Sequence, residues 1–143
     1  MRLSFIAFLI LGFSVTSFAA TYEVPGFEEG VGTYEMNFRL RVKGSVYRAK
    51  YDLPLDLTGV ENEIDATGRM DAEGILVLKG ENALLKCSME QKMCHAQYSN
   101  LVIDPVKVKE RLEAQGLSAD QVQLRLSVTD QFGGEPIGVI YFD

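Results

Sequence analysis

Residues 34–42 alternate strictly between apolar and polar side chains, which is the period of a strand with one buried face. The turn-forming pair Gly44-Ser45 follows, with glycine at the first central position, as a type II′ turn requires. We therefore predict that residues 46–53 return as the second strand of a hairpin. Pairing Lys43 with Val46 places apolar side chains opposite one another along the whole inner face.

The same reasoning predicts six further strands. Residues 61–71 alternate, residues 75–78 are apolar on both faces, and a second hairpin turns over Met89-Glu90-Gln91-Lys92. These strands are predicted at residues 61–71, 75–78, 83–88, 93–98, 122–128 and 137–142. The interval 122–128 is ambiguous, because Ser118 and Gln121 before it also suit a helical capping box. The alternation that follows favours a strand.

One helix is predicted, at residues 105–114. Asp104 is a suitable N-cap, Pro105 suits the first helical position, and Gly116 suits the left-handed residue after the helix end. The predicted fold class is mainly β (α+β): an antiparallel sheet of about eight strands that forms a small sandwich or partly closed barrel. The surface helix at about residues 105–114 precedes the last hairpin.

The first 19 residues have the pattern of a signal peptide. Arg2 precedes an apolar run over residues 3–13, and Ser17 and Ala19 suit the −3 and −1 positions of a cleavage site. We predict cleavage after Ala19, with Ala20 as the near alternative. A retained membrane anchor is disfavoured because the apolar run is shorter than the roughly 20 residues of a membrane span. No cysteine follows the site for lipid attachment, so a periplasmic or secreted domain of residues 20–143 is expected.

Composition limits the classes of partner. The chain of 143 residues has a formal charge of −6, and loss of Arg2 with the signal peptide makes the balance more negative. A nucleic-acid partner is therefore not expected, because such binding depends on neutralising phosphates with basic side chains. The length suits a single domain.

The two cysteines predict a disulfide. Cys87 and Cys94 lie directly opposite each other if Ser88 pairs with Met93, and an exported protein meets oxidising conditions. An alternative is a Cu(I) site, because thiolate, thioether and imidazole ligands suit that ion. Its ligands would be Met89, Met93, Cys94 and His95, although the hairpin register divides them between two faces. No other cofactor is expected.

The first hairpin concentrates positive charge on its outer face. This predicted basic face consists of Arg39, Arg41, Lys43, Arg48 and Lys50. Like charges that face each other across two strands are destabilising, so the arrangement suggests a site for an anionic polymer, headgroup or acidic protein surface. The alternative is a solvated charge ladder, neutralised by Glu61, Glu63 and Asp65 on the next strand.

No catalytic residues are predicted. The only imidazole is that of His95, and no nucleophile elbow, phosphate-binding glycine loop or zinc-protease motif occurs. We therefore expect a non-enzymatic binding module, a modulator or inhibitor-like protein that docks on a macromolecular or anionic partner of the cell envelope or exterior. A small apolar ligand held inside the β-module is the second alternative, beside the Cu(I) site.

Overall fold

A computed structural model describes residues 13–143 of the chain. In this range the eight strands are β1 (Phe13–Glu23), β2 (Thr33–Lys43), β3 (Val46–Asp52), β4 (Glu63–Met70), β5 (Ile75–Lys79), β6 (Ala83–Ser88), β7 (Met93–Tyr98) and β8 (Ile137–Phe142). The helices are α1 (Leu55–Thr58), α2 (Pro105–Ala114) and α3 (Ala119–Gly134). The mainly β fold class is confirmed.

The strands form a closed barrel in chain order. Each strand pairs antiparallel with the next, and β8 returns to β1, where Ala20 lies opposite Phe142 and Glu23 opposite Val139. Of the two predicted architectures the barrel is confirmed, and its closure is complete rather than partial. Closure depends on residues 20–23 of β1, which pair with β8, whereas residues 13–19 pair with β2 alone.

Side chains fill the barrel interior. Phe38 is one of them, and its ring centroid lies 5.4 Å from that of Tyr51 and 5.3 Å from that of Phe142. The inward positions of the other strands are equally inaccessible, with Ile64, Leu85 and Ile140 all at 0% exposure. A small apolar ligand would have to displace these side chains, so the packing gives no support to a ligand held inside.

Helices cover one end of the barrel, which we call the helical end. Phe132 of α3 packs its ring against those of Tyr22 and Tyr98, with centroids 6.2 Å from each. The hydroxyl of Thr129 donates a hydrogen bond to the carbonyl oxygen of Leu57, 2.9 Å away, and so ties α3 to α1. The opposite end, formed by the three tight turns after β2, β4 and β6, is the hairpin end.

The strand predicted at residues 122–128 is wrong, because this interval lies in α3. Ser118 accepts a hydrogen bond from the backbone of Gln121, whose side chain accepts one from the backbone of Ser118, and this capping box starts the helix. The apolar residues alternate only by coincidence: Leu124 is 51% exposed, whereas Val128 is fully buried. Helical spacing places Val128 and Phe132 together against the barrel.

The helix at residues 105–114 is confirmed as α2. Asp104 accepts hydrogen bonds from the backbone of Val106 and Lys107, and Gly116 has the left-handed φ of 81° that was expected after the helix end. Val108 and Leu112 are buried against Val122 of α3, so the two helices share a small core of their own. The sequence predicts one helix, whereas the described residues form three.

The eighth strand is β1, which the sequence pattern did not predict. Residues 1–12, most of the predicted signal peptide, lie outside the described residues, and residues 13–19 form the first part of β1. The described residues therefore form eight strands, as predicted, but β1 takes the place of the strand predicted at residues 122–128. The prediction of cleavage after Ala19 stays a prediction.

Candidate functional site: the basic face

The predicted register of the first hairpin is confirmed. Arg39 lies opposite Lys50 and Arg41 opposite Arg48, with Lys43 opposite Val46 at the turn. The intervening residues Phe38, Leu40 and Ala49 are buried in the barrel, so the alternation of the strands directs the basic face outward. Four of its side chains, Arg39, Arg41, Arg48 and Lys50, line a small groove of about 70 Å³.

Neighbouring carboxylates neutralise part of this charge. The guanidinium of Arg48 donates from Nε to Oδ1 of Asp65 at 2.7 Å and from Nη2 to Oδ2. These hydrogen bonds hold the pKa of Asp65 below its usual value. The ammonium of Lys50 lies 3.8 Å from Glu63. Glu61, the third predicted partner, precedes β4 and is exposed.

The neutralisation is incomplete. The two ion pairs of this face are those of Arg48 with Asp65 and of Lys50 with Glu63. Arg39 and Lys43 form no ion pair with any described residue. Both ion pairs are substantially exposed, with side-chain exposure from 36% to 49%, so each contributes little to stability. The structure thus shows a partial charge ladder in which Arg39 and Lys43 remain outside the ion pairs, and the site for an anionic partner stays a prediction.

One further cation borders the basic face. Arg69 of β4 donates a hydrogen bond from Nη1 to the hydroxyl of Ser45, 3.1 Å away in the turn between β2 and β3. The alternation of β4 placed Arg69 on the polar side, but its distance from the hairpin depends on the β3–β4 register, with Tyr47 opposite Gly68. The sequence analysis therefore missed this residue.

A second polar groove, of about 440 Å³, lies at the helical end. Its wall includes Arg111, which donates to Asp56 at 2.9 Å, and Arg125, which lies 4.8 Å from the ring centroid of Tyr34. Glu35 and Asp56 line the same groove, so two carboxylates offset two guanidinium groups. The basic face is therefore the stronger candidate for an anionic partner.

The predicted disulfide between Cys87 and Cys94 is present and buried near the hairpin end. It takes Cys94 out of the proposed Cu(I) ligand set. His95 alternates with Cys94 and points outward, opposite Lys86, and Met93 shares that outer face. Met89 packs against the core instead. Among residues 13–143, no group of three or more His, Cys, Asp or Glu side chains is arranged to hold a metal.

Three tyrosines form a buried cluster at the helical end. The hydroxyl oxygens of Tyr51 and Tyr98 are 2.6 Å apart, and the ring of Tyr22 packs beside that of Tyr98. Burial raises the pKa of all three phenols above the ordinary value. They remain protonated over the physiological range, and their contacts stabilise the closed end of the barrel.

Fold and site together define the class: a closed, antiparallel eight-stranded barrel with helices over one end and a cationic outer face on its first hairpin. Comparisons with protein-family models, with curated proteins and with solved structures give no significant match. Within the described residues, each helix is too short or too polar to cross a membrane.

Proposed function

We propose that this chain is exported, loses residues 1–19, and acts as a non-enzymatic binding module whose basic face docks on an anionic macromolecular partner of the cell envelope or exterior. One observation carries the proposal. An acidic protein holds Arg41 opposite Arg48 and Arg39 opposite Lys50 on adjacent strands, and Arg39 forms no ion pair with any described residue.

Like charges opposite each other on neighbouring strands destabilise a sheet, and an anionic ligand would relieve that repulsion. A cluster of one sign also raises the rate of encounter with a partner of the other sign. Because hydrogen bonds within the β2–β3 ladder hold these positions on a rigid scaffold, the face requires little reorganisation before it binds.

The disulfide bond supports the proposed export. The Cys87–Cys94 disulfide is typical of proteins that fold in oxidising compartments. Intact-mass measurement and N-terminal sequencing of the protein from the extracytoplasmic fraction test this step. A mature chain that begins at Ala20 or Thr21 is expected, and a chain that keeps residues 13–19 would contradict the proposed processing.

The basic face is tested with a triple variant, Arg39→Gln, Arg41→Gln and Arg48→Gln, on immobilised heparin as a polyanion probe. The matched control removes three exposed positive charges elsewhere, with Lys79→Gln, Lys107→Gln and Lys109→Gln. We expect the unmodified protein and the control to be retained at low salt and the triple variant to flow through. Equal loss in both variants, or no retention of the unmodified protein, would refute the proposal.

A further inference from the structure

The strand β1 has two parts with different partners. Residues 20–23 pair with both β2 and β8 and therefore close the barrel. Residues 13–19 pair with β2 alone, covering its residues 37–43. The boundary between these parts coincides with the cleavage site predicted after Ala19. Cleavage there would leave the closing pairs in place and remove the cover from seven residues of β2.

Removal of residues 13–19 would also uncover part of the core. The ring of Phe18 lies 4.9 Å from that of Phe142 and 6.5 Å from that of Phe38, measured between centroids. Phe38 is 1% exposed and Phe142 is 6% exposed with Phe18 in place. The mature protein would thus present an apolar gap beside a row of unpaired backbone groups, a combination that accepts an added strand.

Resting on the export and the basic face proposed above, we propose that the mature protein binds an extended acidic segment of a partner protein as an added strand on the freed edge of β2. The segment occupies the place of residues 13–19 in the full chain. Backbone hydrogen bonds to β2 supply affinity, and side chains alternating between the two faces supply specificity.

The register specifies the chemistry of this segment. Ser17 lies opposite Arg39 and Val15 opposite Arg41, so acidic side chains at these two positions would stand beside the basic face. The position of Phe18 points inward and requires an aromatic side chain to cover Phe38. The expected partner sequence therefore alternates, with acidic residues outward and apolar residues inward.

A second copy of this chain is a poorer occupant. Antiparallel pairing of β2 with β2 of another copy would bring two basic rows together, because Arg39, Arg41 and Lys43 all lie on one face of the strand. Like charges on adjacent strands oppose such pairing. The charge of the edge thus favours an acidic partner over self-association.

The test uses a fluorescently labelled peptide with the sequence of residues 13–19 carrying Val15→Glu and Ser17→Glu. A matched peptide carries Val15→Lys and Ser17→Lys. Polarisation is measured with the exported, disulfide-bonded mature chain, with its Arg39→Gln and Arg41→Gln variant, and with a chain that begins at residue 13. The last protein has the same basic face but keeps the edge of β2 covered.

We expect the acidic peptide to bind the mature chain about tenfold or more tightly than the lysine peptide, since two favourable cross-strand pairs replace two repulsive ones. The arginine variant should lose most of this preference, and the chain from residue 13 should not bind. Equal binding to the mature chain and to the chain from residue 13 would overturn the strand-addition inference, as would binding to neither or a mature chain that does not fold.

These outcomes are separable from failure of the proposed function. If the protein is retained on heparin but binds no peptide at the edge of β2, the proposed role of the basic face stands and only the strand-addition inference is refuted. Retention of residues 13–19 in the exported protein overturns the processing on which both proposals depend. A dimer of the mature chain that the acidic peptide does not dissociate would identify a second copy as the occupant and contradict the acidic partner.

Discussion

Arg41 and Arg48 lie directly opposite each other on the outer face of β2 and β3. Arg48 is turned toward Asp65 of β4, to which it donates two hydrogen bonds. The charge of Arg41 also acts on Asp65 and helps to lower the pKa of that carboxyl group, after the larger effect of Arg48. Asp65 therefore controls how much positive charge the basic face presents.

Replacing this carboxylate should strengthen polyanion binding. Asp65→Asn removes the negative charge beside Arg48, so we expect elution from heparin at a higher salt concentration than the unmodified protein. Stability at neutral pH should change little, because both side chains are more than a third exposed. Asp130→Asn, an equal change of charge on the exposed side of α3, is the control. An identical shift in both variants would show that net charge, not this face, governs retention.

The pH dependence of the Arg48–Asp65 pair follows from the lowered pKa of Asp65. Its small contribution is present above the pKa of an unfolded aspartate, about 3.9, and is lost as the pH falls through the folded value. Retention on heparin should therefore increase as Asp65 is protonated. The Asp65→Asn variant should lack that component of the increase, which salt-gradient elution at successive pH values measures.

The disulfide should contribute substantially to stability. Closing the short loop between Cys87 and Cys94 restricts the unfolded chain, and the chain-entropy model gives about 2.5 kcal/mol for a loop of this size. The double variant Cys87→Ala and Cys94→Ala should lower the free energy of unfolding by about this amount in urea titrations. Reductant should destabilise the unmodified protein similarly and leave the variant unchanged. A variant as stable as the oxidised protein would contradict this.

The buried tyrosines should make the barrel sensitive to alkaline pH. Burial raises the pKa of Tyr22, Tyr51 and Tyr98, so the folded state retains their protons above the pH at which the unfolded chain releases them. Their contribution is complete below the unfolded pKa of about 10 and is lost progressively as the pH rises above it. The part of the tyrosinate absorbance near 295 nm that is absent from a Tyr22→Phe, Tyr51→Phe and Tyr98→Phe variant should change together with the circular dichroism of the unmodified protein. Ionisation of these residues in a still-folded barrel would refute the prediction.

Gly138 is required by the packing of Tyr22. A Cβ atom at this position on β8 would collide with the phenol ring and hydroxyl of Tyr22, which is fully buried. We expect Gly138→Ala to lower the free energy of unfolding by about 1–3 kcal/mol through overpacking. Gly134→Ala is the matched control, because its Cβ would meet nothing within 4 Å. Comparable melting temperatures for the two variants would contradict this packing argument.

Local sequence patterns predicted the pairing of residues within the basic face, but not the contacts of the basic face with β4. The alternation of β2 and β3 and the turn at Gly44-Ser45 were sufficient to place Arg41 opposite Arg48, because a two-residue turn sets the register of a hairpin. The same logic placed Cys87 opposite Cys94. The pairing of Arg48 with Asp65 and the approach of Arg69 to Ser45 required the β3–β4 register. The ten-residue connection between those strands does not determine it.

The sequence by itself determined the hairpins, the disulfide and the ends of α2, since each depends on residues a few positions apart. Tertiary structure decided that residues 122–128 are helical and that β1 completes the barrel. Alternating apolar residues are compatible with either structure, and in α3 the capping box and the packing of Phe132 against Tyr22 and Tyr98 favour the helix. The pairing of β1 with β8 joins the two ends of the described chain, and no local pattern specifies a contact at that separation.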